Sequence, residues 1–283
     1  VSTRNLPDFI AVGPPRTATS WLDRVLRGHV SLPEGIKETH FFSRKFSNGL
    51  AWYEDHFRNR VAGRPIGEVS PSYFSHSEAR ERIAAIIPGC AIICTLRDPV
   101  ARLYSHYRHR RAFGLLGVVS FEEVTAEHRK SGRHARIFAN STYAKLVRAW
   151  SDEFGKENVL TLINEDLVSD PQRYLDQVCR FVKIPPIDIS RSPLRYRRVA
   201  THLRAPRNLQ LAVCARILRH WMLRHQRLYP LSRRLQPVWE FCAGGGAEFG
   251  PLDPAVAASL RAYFRPDVEE LEELLQRDLS AWK

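Results

Sequence analysis

Apolar and polar positions in this chain switch repeatedly between two periods. Phe9–Val12 is an unbroken apolar run, which suits a buried strand. Trp21, Leu22, Val25 and Leu26 follow at helical spacing, which suits an amphipathic helix. "LAWYEDHF" reads as a short helix, and "RPIGEVSPSYF" as a strand end entering a proline-bearing loop. "SEARERIAAIIP" puts Ile83, Ile86 and Ile87 on one helical face, with Ser77 as the expected N-cap. "CAIICTLRDPV" is a buried strand running into a turn. "VARLYSHYRHRRAFG" then reads as a helix with Pro99 near its start and Gly114 near its end. "YAKLVRAWSDEFG", "VLTLINED" and "PQRYLDQVCRFV" continue as helix, strand and helix. This alternation predicts an α/β fold, three layers deep, with helices on both faces of a central parallel sheet.

From Pro185 to Pro251 the pattern loosens into an Arg- and Pro-rich segment, in which "CAGGGAEFGP" reads as flexible. Leu209–Leu228 is a basic amphipathic helix candidate with Arg216, Arg219, Arg224 and Arg227, followed by Arg233 and Arg234. Three readings compete for it: a wall or lid of a substrate cleft, a helix lying on an anionic membrane surface, or a solvated helix packing its apolar face on the domain. The last is favoured. The closing stretch is mostly helical, with Leu260, Phe264, Val268, Leu271, Leu274, Leu275 and Leu279 expected to dock. Residues 1–283 are therefore read as one domain, with 185–250 an irregular basic insertion and 251–283 a C-terminal helical segment.

Charge changes the picture more than composition does. The formal net charge is +13, and the 43 basic residues are 36 Arg and only 7 Lys. That balance favours anionic ligands, since a guanidinium grips phosphate and sulfate with two parallel bonds. The arginines are spread along the chain and no nucleic-acid-binding motif is present, so a nucleic-acid partner is not expected. The cysteines Cys90, Cys94, Cys179, Cys214 and Cys242 form no CxxC pair, which argues against a zinc ribbon or thioredoxin-like site. Their odd, sparse count suits a reducing, cytoplasmic compartment. The N-terminal "VSTRNLPDF" lacks a signal-peptide pattern, and no apolar stretch is long enough to span a bilayer.

The candidate chemistry begins at "GPPRTATS". Set against the phosphate-loop pattern G-x-x-x-x-G-K-[ST], Gly13 and Ser20 fit, but Ala18 replaces the second glycine and Thr19 the lysine. An ordinary kinase or GTPase is disfavoured. Two readings stay open on the turn alone: an anion cradle with Arg16 as its cation, or a plain connection capped by Thr19 or Ser20. A second constellation, "IICTLRDPVARLYSHYRH", puts Arg97 at a strand end and Ser105 about two turns into the next helix. Ligands of open parallel sheets bind beyond the carboxyl ends of the strands. Both Arg16 and Arg97 fall there, which suggests a ligand with two phosphate-like groups.

"PPRTATSWL" with "LRDPVARLYSHY" resembles the sulfotransferase superfamily. "KETHFFSRKFSNGLAWYEDHF", "IGEVSPSYF", "YAKLVRAWSDEFGKENVLTLINEDLVSDP" and "FRPDVEELEELLQRDLSAW" resemble its heparan sulfate branch and the bacterial relatives of that branch. The resemblance implies a P-loop-like sulfotransferase fold and 3′-phosphoadenosine-5′-phosphosulfate (PAPS) as sulfuryl donor, released as PAP. It implies that Arg16, Thr17, Ala18, Thr19, Ser20 and Trp21 hold the 5′-phosphosulfate and that Arg97 and Ser105 hold the 3′-phosphate. It makes Glu38 the general base, Lys37 a positive charge beside it, Arg16 the cation that neutralises charge on the leaving phosphate oxygen, and Arg204 and Arg207 a late basic loop closing over the nucleotide. No metal is implied. The acceptor is a hydroxyl on a carbohydrate, glycolipid or small metabolite, with peripheral contact to an anionic membrane open. His40 and His106 are rival bases. Arg16 stands where the family usually has lysine, and Val69 where the heparan sulfate enzymes have a catalytic lysine. The alternatives are a nucleotide-binding protein without transferase activity and a divergent P-loop kinase.

Overall fold

Four short strands make the central sheet of this computed structural model. β1 (Phe9–Ala11), β2 (Gly67–Val69), β3 (Ala91–Leu96) and β4 (Val159–Ile163) pair in the order β2-β1-β3-β4, all parallel. Phe9 lies opposite both Gly67 and Ala91, and Ile92 opposite Val159. β1 is buried at every position, as a strand covered on both faces must be. The register needs a glycine at position 67, where a Cβ would lie 2.2 Å from the Phe9 ring. Residues 4–132, 134–190, 203–224 and 245–283 are described, with positions 231, 234, 235, 237, 238 and 241.

The chain divides into two compact units. The first comprises Val1–Arg102, Ala139–Arg197 and Arg261–Lys283; the second comprises Leu103–Phe138 and Arg198–Leu260. In chain order the helices are α1 (Thr19–Leu26), α2 (Leu50–Asp55), α3 (Ser77–Ile86), α4 (Pro99–Ala112), α5 (Phe121–Ser131) and α6 (Ala135–Ala139). They continue with α7 (Ala144–Phe154), α8 (Asn164–Ser169), α9 (Pro171–Phe181), α10 (Leu209–Arg224) and α11 (Pro254–Leu275).

In the first unit, α1 turns Trp21, Leu22, Val25 and Leu26 into a core with Val69, Ile93 and Leu162 from the sheet and Tyr174, Leu175 and Val178 from α9. The "DP" dipeptides explain two helix starts. Asp98 accepts from the N–H groups of Val100 and Ala101 at 2.8 and 3.0 Å, and Asp170 from that of Arg173 at 2.9 Å, each with proline in the first turn. Ser77 does not cap α3. It is already the first helical residue, and extended His76 holds the cap position without a side-chain bond.

In the second unit, α5 opens on a reciprocal capping box between Ser120 and Glu123. β5 (Arg204–Pro206) pairs antiparallel with β6 (Gly245–Glu248), so part of the glycine-rich stretch expected to be flexible is a strand. Gly246 allows that approach, since a Cβ there would lie 2.5 Å from Ala205 O. On α10, Ala212 and Met222 are buried, whereas Leu211, Ile217, Leu218 and Trp221 are exposed. The apolar face expected to pack is thus only partly covered. Residues 225–228 of the predicted helix, with Arg233 and Cys242, lie outside the described residues. No helix among the described residues is long and apolar enough to cross a membrane.

Candidate active site

Local sterics build the turn between β1 and α1. Val12 N–H donates to Ile93 O at 2.9 Å, ending β1 against β3. Gly13 then presses onto β3, where a Cβ would meet Thr95 Oγ1 at 2.0 Å and Thr95 O at 2.4 Å. Thr17 is fully buried. Its hydroxyl donates to Pro14 O at 2.7 Å and shares a 2.7 Å bond with Thr95 Oγ1. That hydroxyl therefore shapes the turn rather than facing a ligand. Arg16 and Ala18 both take positive φ, 81° and 69°. Ala18, in the left-handed region, occupies the N-cap position of α1 without a side-chain bond, so neither Thr19 nor Ser20 caps the helix. Trp21 N–H donates to Ala18 O at 2.9 Å inside the first turn, and the N–H groups ahead of it lie at the positive end of the helix dipole.

Arg97 extends from the carboxyl end of β3. Its carbonyl accepts from Tyr143 OH at 2.8 Å, and its Nη1 approaches Arg16 O at 3.4 Å. A second guanidinium supports the same turn. Arg102, fully buried on α4, donates from Nε to Ser141 Oγ at 2.6 Å and from Nη1 to Pro15 O at 3.3 Å. Burial pushes its pKa down to about 10, and Arg97 adds repulsion. The sequence alone gives Arg102 no role, because its partners lie 39 and 87 residues away. The turn, Arg97 and Arg102 together form a cationic corner at the ends of β1 and β3, suited to an anion.

The segment before Phe41 reaches the neighbouring strand. Ser70 N–H donates to Ala11 O at 2.9 Å, tying the end of β2 to the end of β1. Glu68, fully buried on β2, accepts from Thr39 Oγ1 at 2.6 Å and Thr39 N–H at 3.3 Å. Thr39 thus faces inward, with Glu38 and His40 half-buried on either side. Lys37 Nζ lies 3.0 Å from Glu38 Oε1, and His40 Nε2 lies 4.0 Å from Glu38 Oε2. His40 Nδ1 meets Ser72 Oγ at 3.0 Å. Burial pushes the His40 imidazole down, while the Glu38 carboxylate pulls it up and Arg44 and Lys45 add to the downward pull. Glu68 is the other residue to which the sequence gave no role; a lone acid in a buried strand was the available signal.

The remaining expected residues are placed differently. Trp21 is a core side chain, edge-on to Tyr174 with ring centroids 5.9 Å apart. Val69 is buried in the same core. Ser105 is buried and His106 half-buried on the part of α4 that belongs to the second unit. Arg204 on β5 pairs with Glu248 at 2.6 Å, and Arg207, just past β5, donates to Gly245 O at the start of β6. Among the described residues no cluster of His, Cys, Asp and Glu is arranged to hold a metal ion.

Comparison with known proteins finds the family model described as "Sulfotransferase domain" matching residues 6–204. Mouse heparan sulfate glucosamine 3-O-sulfotransferase 3B1 is 33% identical over 183 residues, covering 64% of this chain and 47% of that protein. Mouse bifunctional heparan sulfate N-deacetylase/N-sulfotransferase 4 is 29% identical over 198 residues, covering 64% of this chain and 23% of that protein. The chain thus spans about half the length of the first relative and about a quarter of the second. Among solved structures, a sulfotransferase from Alicyclobacillus acidocaldarius superposes with a TM-score of 0.69 at 24% identity, over 98% of both chains.

Proposed function

This chain belongs to the sulfotransferase domain family, and on that premise we propose that it moves the sulfuryl group of PAPS to an acceptor hydroxyl, with Glu38 as general base. The observation that carries this reading is a shared edge. The Gly13–Ser20 turn follows β1, Arg97 follows β3, and the Glu38 segment is bonded to β2, the three strands being neighbours in the order β2-β1-β3.

The residues at that edge fit a doubly anionic nucleotide. The turn and α1 offer N–H groups and a helix N-terminus to the phosphosulfate end, and Arg97 offers a guanidinium to the ribose phosphate. PAPS supplies the activated sulfuryl group; this chain's part is positioning and charge. Arg16 cannot give up a proton at ordinary pH, so its task is to neutralise charge growing on the leaving phosphate oxygen. Glu38 takes the acceptor proton as the new O–S bond forms. Lys37, at 3.0 Å, holds that carboxylate in place and supplies the cation that Val69 cannot. The relatives named for heparan sulfate favour a glycan hydroxyl as the acceptor.

The test is transfer of labelled sulfate from PAPS to a panel of desulfated heparan oligosaccharides, glycolipids, simple phenols and water. Transfer to at least one acceptor is expected. Glu38→Gln should bind PAP with unchanged affinity and lose turnover by about 10²–10⁴-fold. A variant that turns over like wild type removes Glu38 from the mechanism.

A further inference from the structure

Glu68 collects an unusual number of donors. Thr39 Oγ1 at 2.6 Å, Thr39 N–H at 3.3 Å, Ser70 Oγ at 2.5 Å and Tyr73 OH at 3.0 Å converge on Oε1, and Tyr53 OH donates to Oε2 at 2.6 Å. All five come from residues that are fully buried. A carboxylate in such a place is costly unless hydrogen bonds replace its water, and here they do. Burial, and then the Glu68 carboxylate, push both tyrosines well above the usual phenol range, so Tyr53 and Tyr73 remain donors. Removing the carboxylate alone would leave those buried donors without an acceptor, so the network is kept or lost as a unit.

What the network controls is one short piece of backbone. Thr39 is held at its side chain and its amide, and its Oγ1 accepts in turn from Phe41 N–H at 3.1 Å. His40 between them takes a positive φ of 55°. With Thr39 fixed inward, the outward directions of Glu38 and His40 are fixed as well. We infer that Glu68 is a positioning residue: through Thr39 it aims the Glu38 carboxylate at the acceptor and leaves nucleotide binding to the other strands. It touches no substrate. This inference rests on Glu38 being the base.

The experiment is a double-mutant cycle on kcat, read as PAP released from PAPS with the best acceptor of the panel above, water included. Glu68→Gln keeps the shape but puts a donor where an acceptor is needed. It should lower kcat by about 10²-fold, the cost of misplacing a reacting group by roughly 1 Å. Calorimetric PAP affinity and stoichiometry should stay at wild-type values. In a Glu38→Gln background the same change should cost nothing further, because the group it aims is gone. A purely structural role predicts loss of PAP-binding sites in step with turnover, and additive effects; either result overturns the inference. Should Glu68→Gln not fold, Thr39→Val must show the same kcat loss with PAP binding intact, and Thr39→Ser must restore turnover. Wild-type kcat in Thr39→Val would overturn it. Turnover surviving in Glu38→Gln defeats the base assignment itself, whereas a dead Glu38→Gln beside a fully active Glu68→Gln defeats the positioning role alone.

Discussion

Arg97 is anchored at its main chain and directed at its side chain. Tyr143 OH holds its carbonyl at 2.8 Å, while its guanidinium sits by the Arg16 carbonyl at the mouth of the turn. Arg97→Ala should therefore leave the fold standing and weaken PAP binding. At about 1.5–3 kcal/mol for a hydrogen bond to a charged group, calorimetry should read a Kd raised roughly 10- to 100-fold. Two histidines give the molecule a pH signature. Burial pushes the imidazoles of His40 and His56 down, so protons bind the unfolded chain more readily than the folded one. Their contribution to stability is complete above the usual imidazole value of about 6.5 and is lost as pH falls below it. Thermal melts should show a smaller drop between neutral and mildly acidic pH in a His40→Gln/His56→Gln variant than in wild type. Glu38 and Arg97 could be proposed from the sequence because each sits in a contiguous motif. Glu68 and Arg102 could not, because what defines them is a set of partners up to 87 residues distant.

At the scale of elements, the strand–turn–helix from Phe9 to Leu26 was read correctly in kind, and its details were set by sterics that a sequence does not display. Gly13 is required by the approach of Thr95, and Ala18 takes a left-handed conformation that glycine adopts more easily. Two substitutions separate these demands. Gly13→Ala should destabilise the chain by about 1–3 kcal/mol or prevent folding, because its Cβ would meet β3 backbone. Ala18→Gly should be tolerated, with an unchanged or slightly raised Tm, since relief of strain offsets the added freedom of the unfolded chain. Elsewhere the pattern misled for identifiable reasons. A serine at a helix start looks like a cap even when the chain has already turned helical, as at Ser77. Glycines that read as looseness in "CAGGGAEFGP" are, at Gly246, what lets β6 approach β5.

At the scale of the molecule, the alternation of strands and helices was enough to foresee the parallel sheet, because strands covered on both faces leave continuous apolar runs. The division into two units was not foreseen; contacts between Leu103–Phe138 and Arg198–Leu260 join stretches of chain with no shared periodicity. The net charge of +13 gives a global expectation. PAP binding should weaken steadily as ionic strength rises, because the anion is drawn by exposed as well as buried arginines and only the exposed ones are screened. The central claim is that neighbouring strand ends clasp the two ends of one nucleotide. A crystal of this chain grown with PAP tests it most directly. The 5′-phosphate should lie on the Gly13–Ser20 turn and the 3′-phosphate within hydrogen-bond distance of the Arg97 guanidinium. PAP bound with either phosphate away from its assigned group would contradict the account.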